Sequence, residues 1–134
     1  MPAMCAFRFT NGYAIAIARD GRSFSLDTPG LRLGGCRIGV ATEKLPQTFA
    51  GALRITARGR NRATITAVST LGPLTLDIRA ARVGRDAALT FSLSLAACAG
   101  HRWVEIAPLA GVTLTGATHL LSHGRSMGGC RLWP

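Results

Sequence analysis

The sequence predicts an all-β fold: an antiparallel sandwich, jelly roll or small barrel of about eight strands. Apolar and polar residues alternate with a period of two over most of residues 4–95, as they do in strands with one buried face. Turn dipeptides that contain glycine interrupt this alternation at near-regular spacing. No segment shows a helical period with caps, and 134 residues are the size of one domain. A single β domain is therefore expected.

Tight turns organise the N-terminal region. Asn11-Gly12 and Asp20-Gly21 favour the positive φ angles of primed hairpin turns. A three-stranded antiparallel meander is therefore expected in the first 27 residues. Its strands are residues 5–9, 13–18 and 23–26.

The second of these strands is apolar on both faces, which indicates that it is covered on two sides. The covering surface is either the rest of the fold or another subunit. Tyr13, Ile15 and Ile17 are therefore candidate interaction residues.

A kinked strand and two hairpins are expected to follow. The strand covers residues 31–42, where two adjacent glycines favour a bulge. The hairpins cover residues 48–69 and 74–95, and their alternation predicts that Phe49 and Phe91 point inward.

The chain is strongly basic, with 16 Lys and Arg against 6 Asp and Glu, a formal net charge of +10. Such a charge suits polyanions and acidic protein faces as partners. Arginines cluster at the two hairpin tips, and each cluster fits nucleic-acid phosphates, an acidic protein or simply a solvated turn. Because the nearby aromatic residues are predicted to be inward, base stacking is not favoured. The clusters are Arg58, Arg60 and Arg62 at the first tip, and Arg79, Arg82 and Arg85 toward the second.

The C-terminal residues differ in composition from the rest. We expect one β domain over residues 1–121 and a glycine-rich, flexible tail over residues 122–134. Leu132 and Trp133 lie near the end of this tail, where apolar side chains are exposed unless they dock on the domain or on a neighbour. They too are candidate interaction residues.

The cysteines bear on the cellular compartment. Four of them allow three full disulfide pairings, and their spacing selects none. Because no secretory signal is visible, we expect synthesis in the cytoplasm and reduced, buried thiols, with at least one disulfide as the alternative if the protein leaves the cell in a particle. No uncharged stretch has the roughly 20 apolar residues of a membrane-spanning helix, so no span is expected. The cysteines are Cys5, Cys36, Cys98 and Cys130.

No set of residues predicts an enzyme. Of the six acidic residues, Asp20 and Asp86 fall in turns and Asp77 on an exposed face, so paired-carboxylate chemistry is not expected. The glycines form neither a Walker loop nor a dinucleotide fingerprint. The zinc-type side chains near the C-terminus match no compact motif, and a Ser122 or Cys98 nucleophile beside His101 would lack a nucleophile elbow, so neither a metal nor a cofactor is expected. These side chains are Cys98, His101, His119, His123 and Cys130.

These observations favour a non-enzymatic structural or interaction subunit that assembles with copies of itself or joins a larger particle. Small size and basic charge suit a phage virion component, in the capsid or the tail. The alternative is a basic β-barrel module that binds nucleic acid, and a more distant one is a zinc or thiol enzyme.

Overall fold

The computed structural model describes residues 5–28, 30–96, 100–116, 120–123 and 130–133. Every regular element in these ranges is a β-strand, which confirms the all-β class. The thirteen strands in these ranges exceed the eight expected, because residues 48–57 form two strands instead of one and four further strands lie beyond residue 95. They are β1 (Cys5–Arg8), β2 (Ala14–Ile17), β3 (Phe24–Thr28), β4 (Leu31–Thr42), β5 (Thr48–Phe49), β6 (Gly51–Ala57), β7 (Arg62–Ser69), β8 (Gly72–Val83), β9 (Asp86–Leu95), β10 (Val104–Ala110), β11 (Thr113–Thr115), β12 (Leu120–His123) and β13 (Cys130–Trp133).

The first sheet has the strand order β1-β2-β3-β4-β10, and β5 and β11 also pair with β4. All of its pairings are antiparallel, and β1 to β3 form the predicted meander. The predicted kink in β4 is a register shift against β3 near Gly35, whose φ of 64° suits glycine. The two ends of β4 therefore pair with different neighbours: β11 pairs near Leu33 and β10 pairs beyond Cys36.

The second sheet is the antiparallel meander β6-β7-β8-β9. Its last three strands keep an unbroken register, with Ile65 opposite Leu76 and Leu76 opposite Leu93. The turn signals at Gly72 and Gly84 thus produced the expected hairpins. The first hairpin begins later than predicted, because β5 belongs to the first sheet and only β6 joins the second.

The chain crosses from one sheet to the other at Ala50, whose N–H donates to the Ile38 carbonyl 2.8 Å away. Directly afterwards the β6–β7 register shifts between Gly51 and Arg54. A bulge of this kind reverses which side chains face the core. Leu53 is therefore buried, whereas Phe49 is 45% exposed, and the inward orientation predicted for Phe49 is wrong.

Both sheets turn their apolar faces to one core. Ile15, Phe24 and Ile38 from the first sheet and Ile65 and Leu76 from the second are at most 1% exposed. Two antiparallel sheets on a shared core are the arrangement of a sandwich. In the described part of the chain neither sheet closes into a barrel, and runs of consecutive neighbours replace the strand order of a jelly roll.

In the C-terminal region, where the sequence predicted a flexible tail from Ser122, the structure describes two short strands, which we call the C-terminal hairpin. Strands β12 and β13 pair antiparallel, with Leu121 opposite Leu132 and Leu120 opposite Trp133. Among the described strands, these two pair only with each other. In the same ranges there is no helix of the length and hydropathy needed to cross a membrane.

Candidate interaction surfaces

The outer face of the second sheet carries three arginines side by side: Arg58 directly after the end of β6, Arg62 at the start of β7 and Arg79 in β8. The Arg58 N–H donates to the Arg62 carbonyl at 2.9 Å, and Arg62 lies directly opposite Arg79 in the β7–β8 register. Their strands bury the intervening residues, such as Ala63 and Ile78, so all three side chains face outward. We call Arg58, Arg62 and Arg79 the arginine row.

Asp77 holds two members of the row in place. Its Oδ1 accepts from the Nε of Arg62 at 2.8 Å, and its Oδ2 accepts from the Nε of Arg79 at 3.1 Å. These bonds, with that of Arg62 the stronger influence, lower the pKa of Asp77. The carboxylate therefore stays ionised and orients both guanidinium groups.

Hydroxyl side chains surround the row on the same face. The Nε of Arg58 donates to the Oγ1 of Thr64 at 3.4 Å, and Thr64 lies opposite Asp77. Further along the strands, exposed threonines and serines occupy the outward positions. They are Thr56, Thr66, Thr75, Thr90, Ser92 and Ser94. The result is a mainly polar and positively charged surface.

The two arginine clusters predicted at separate tips meet at one end of this sheet. The Ala80 N–H donates to the Asn61 carbonyl at 2.8 Å, which fixes the first tip beside β8. Arg60, Arg82 and Arg85 are exposed at the same end, although Arg82, three positions after Arg79, lies on the other side of β8. The sequence indicated both clusters but not their proximity, because proximity depends on the register between strands.

A second feature lies at the end of β4, where Glu43 fixes the start of β10. Its carboxylate accepts from the backbone N–H of Arg102 at 2.8 Å and from that of Trp103 at 3.5 Å. The pKa of Glu43 is lowered, first by the Arg102 hydrogen bond and more weakly by the nearby charge of His101. Trp103 is nonetheless 50% exposed, so its backbone is held while its indole faces solvent. Sequence reasoning missed Trp103, because no periodic pattern marks this segment.

Other exposed apolar side chains lie on segments that pair with β4. Leu45, in the turn after β4, is 41% exposed, and Val104, at the start of β10, is 37% exposed. Phe49 carries the Arg37 guanidinium 5.1 Å from its ring centre, a cation–π contact on the outer face of the sheet. The first sheet thus exposes several apolar side chains, whereas the arginine face is mainly polar, with Val68 exposed at its far end.

The candidate residues of the strand that is apolar on both faces are Tyr13, Ile15 and Ile17, and they make their contacts within the domain itself. Ile15 is fully buried and Ile17 is 2% exposed, so of the two covering surfaces considered, the rest of the fold covers them. Tyr13 is half-buried, and its hydroxyl donates to the Ala87 carbonyl of the second sheet at 2.9 Å. These side chains join the two sheets, which leaves none of them free as an anchor for a neighbour.

The C-terminal candidates and most of the thiols fall largely outside what the structure describes. Leu132 and Trp133 are placed only by the backbone register of β13. Cys36 is a free, buried thiol, and burial raises its pKa to about 11. Positions 98 and 119 lie outside the described residues, and for Cys5, Ser122, His123 and Cys130 only the backbone is described.

The described side chains present no convergent set for catalysis. A groove of about 580 Å³ contains one carboxylate, and its lining residues are Ile17, Arg19, Asp20, Gly21, Ala52, Leu53, Arg54 and Ile55. The Nδ1 of His101 lies 3.7 Å from a Glu43 oxygen, but that carboxylate already accepts backbone N–H groups. Within the described ranges, no three or more His, Cys, Asp or Glu residues are grouped to hold a metal ion.

Fold and surface thus define a two-sheet antiparallel β protein with a basic outer face. Comparison with known proteins found no matching protein family, no matching curated protein and no matching solved structure.

Proposed function

We propose that this chain is a non-enzymatic structural or interaction subunit that assembles with copies of itself. The observation that carries the proposal is the hairpin of β12 and β13, which pairs with neither sheet in the described part of the chain. An isolated two-stranded hairpin is at best marginally stable in water. A neighbouring subunit would supply the surface that stabilises it.

Trp103 supports the proposal independently. Exposed tryptophans are frequent anchors of protein interfaces, and a side chain whose backbone is already fixed loses less entropy on binding. The Glu43 hydrogen bonds provide this fixation. Leu45 and Val104, on neighbouring segments, add apolar area to the same end of the first sheet.

The setting that we propose is a phage virion, in its capsid or tail. The grounds are the small size of the chain, its basic charge and the assembly function itself.

Deletion of residues 124–134 tests the role of the C-terminal hairpin in assembly, because it removes β13 and leaves β12 unpaired. We expect the full chain to sediment as a defined oligomer. The shortened chain should associate more weakly, so that it is already dissociated at protein concentrations at which the full chain is still an oligomer. The circular dichroism of the two sheets should not change, since they pair without the hairpin. A full chain that stays monomeric at high concentration would contradict the proposal.

Trp103→Ala tests the second contact. We expect it to weaken self-association by about 2 kcal/mol, roughly 30-fold, as truncation of an interface anchor does. Val68→Ala is the matched control, because Val68 is 60% exposed but lies on the second sheet. Equal association constants for the two variants, measured by sedimentation equilibrium, would exclude Trp103 from the interface.

A further inference from the structure

We propose that the outer face of the second sheet binds duplex nucleic acid through its phosphate backbone, without sequence preference, and that the arginine row supplies the central contacts. This surface is on a different sheet from Trp103 and does not involve the C-terminal hairpin. The inference therefore goes beyond self-assembly and does not rest on it.

The spacing of the row suits a series of phosphates. Neighbouring strands lie about 4.8 Å apart, so the strands of Arg58 and Arg79, with that of Arg62 between them, span about 10 Å. This distance is about the axial rise of three base pairs, at roughly 3.4 Å each along one strand. The exposed side chain of Arg60 can extend the contacts at the tip.

The positive charge of the arginine row is only partly balanced by nearby acidic side chains. Like charges directly opposite each other on adjacent strands destabilise a sheet, and Arg62 faces Arg79 in this way. Among the side chains described on this face, Asp77 is the only carboxylate. Even if Asp86 at the start of β9 is counted, six arginines at this end stand against two acids. An anionic ligand would offset this repulsion.

The hydrogen bonds to Asp77 leave binding capacity on both guanidinium groups. Each of Arg62 and Arg79 uses its Nε–H toward the carboxylate. The Nη groups of an oriented guanidinium can then donate to phosphate oxygens, for which the planar fork is well suited. Asp77 thus positions the two arginines and leaves their outer edges open.

The rest of this face favours nucleic acid over an acidic protein. Interface centres between proteins are enriched in aromatic anchors, whereas here most outward positions near the row are threonine and serine, whose hydroxyls bind phosphate and sugar oxygens, and the exposed Val68 lies at the far end of β7. Single strands are usually held by stacking on exposed aromatic rings. Among the described side chains, the exposed aromatic ones are Phe49 and Trp103, which lie in or next to strands of the first sheet. A duplex contacted only at its backbone fits this surface best.

The test is fluorescence anisotropy with two labelled DNA duplexes of equal length and unrelated sequence, across a salt series. We expect equal affinity for both duplexes. The triple variant Arg58→Gln, Arg62→Gln and Arg79→Gln should bind roughly tenfold more weakly, and its salt slope should be less steep by about 2 to 3, since each lost phosphate contact removes about 0.9. Because this variant also removes the partners of Asp77, Arg58→Gln with Arg60→Gln provides a second variant that leaves them intact. It should reduce the slope by about 1 to 2.

The matched control is the triple variant Arg19→Gln, Arg22→Gln and Arg32→Gln, which removes the same charge from exposed positions of the first-sheet region. It should keep most of the affinity. Equal losses in the two triple variants would mean diffuse attraction by net charge and would overturn the proposal. So would tighter binding of a single strand, or of polyglutamate, than of the duplex. Because binding is measured on the monomer or the oligomer alike, a failure here is distinct from a failure of self-assembly.

Discussion

Ala52 is the only non-glycine residue with a positive φ, at 53°, in the part of the chain that the structure describes. Side chains with a Cβ atom adopt this left-handed region at a cost of about 1 to 2 kcal/mol. The conformation belongs to the bulge at the start of β6, where the Leu53 N–H donates to the Gly21 carbonyl at 2.8 Å. The strain is thus the consequence of linking the two sheets at this point.

We expect Ala52→Gly to raise the free energy of unfolding by up to about 1 kcal/mol, because glycine adopts this φ without strain. Ala57→Gly is the control: Ala57 is also exposed in β6 but lacks a positive φ, and its replacement should lower the free energy by about 0.5 to 1 kcal/mol. Urea unfolding measures both. If both variants lose the same stability, Ala52 is not strained in solution.

At the scale of elements, the turn after β4 and the start of β10 depend on one ionised side chain. Glu43 accepts two backbone N–H groups, and its folded-state pKa is lowered. A carboxyl group with a lowered pKa stabilises the fold above its unfolded pKa, about 4.3, and loses this contribution as the pH falls through the folded value. The segment that presents Trp103 is therefore held at neutral pH and released in acid.

Tryptophan fluorescence in a Trp133→Phe background, which leaves Trp103 as the sole reporter, tests this release. We expect the emission of Trp103 to change as the pH falls below about 4, while the far-ultraviolet circular dichroism is still that of the folded sheets. In Glu43→Gln, which cannot ionise, the emission should resemble the acid form at all pH values. An identical titration in both proteins would show that another group controls the segment.

At the scale of the whole molecule, side chains near the first turn join the two sheets. The Oδ1 of Asn61, at the tip between β6 and β7, accepts from the Thr10 N–H at 3.2 Å and from its hydroxyl. In the same turn of the first sheet, the Nδ2 of Asn11 donates to the carbonyl of Ala88, in β9 of the second sheet, at 3.3 Å. These bonds fix the basic tip against the first sheet, so the arginine row has a defined place in the molecule.

We expect Asn61→Ala to lower the free energy of unfolding by about 1 to 2 kcal/mol, the contribution of two hydrogen bonds, and to weaken duplex binding modestly by loosening the tip. Asn61→Asp should retain most of the stability, since Thr10 needs only an acceptor. Thermal unfolding separates these outcomes. Equal loss in the two variants would indicate that the Asn61 side chain does not join the sheets.

Much of the architecture followed from local patterns. Alternation with a period of two predicted the strands of the second sheet, because a strand with one solvated face must place every second residue in the core. Asn11-Gly12 and Asp20-Gly21 predicted the meander of β1 to β3, because few residues other than glycine accept the φ angles of such turns. The all-β class and the basic tips were thus determined by the sequence alone.

The tertiary structure was needed for every feature that depends on strand register or on the sheet that a strand joins. The bulge after Ala50 turned Phe49 outward, and no single-residue preference marks that slip. Ile15 and Ile17 could have faced a partner until the second sheet was seen to cover them. Arg62 and Arg79, seventeen positions apart in the sequence, became neighbours only through the β7–β8 pairing, because contacts between strands are set by the whole sheet and not by the residues nearby in the chain.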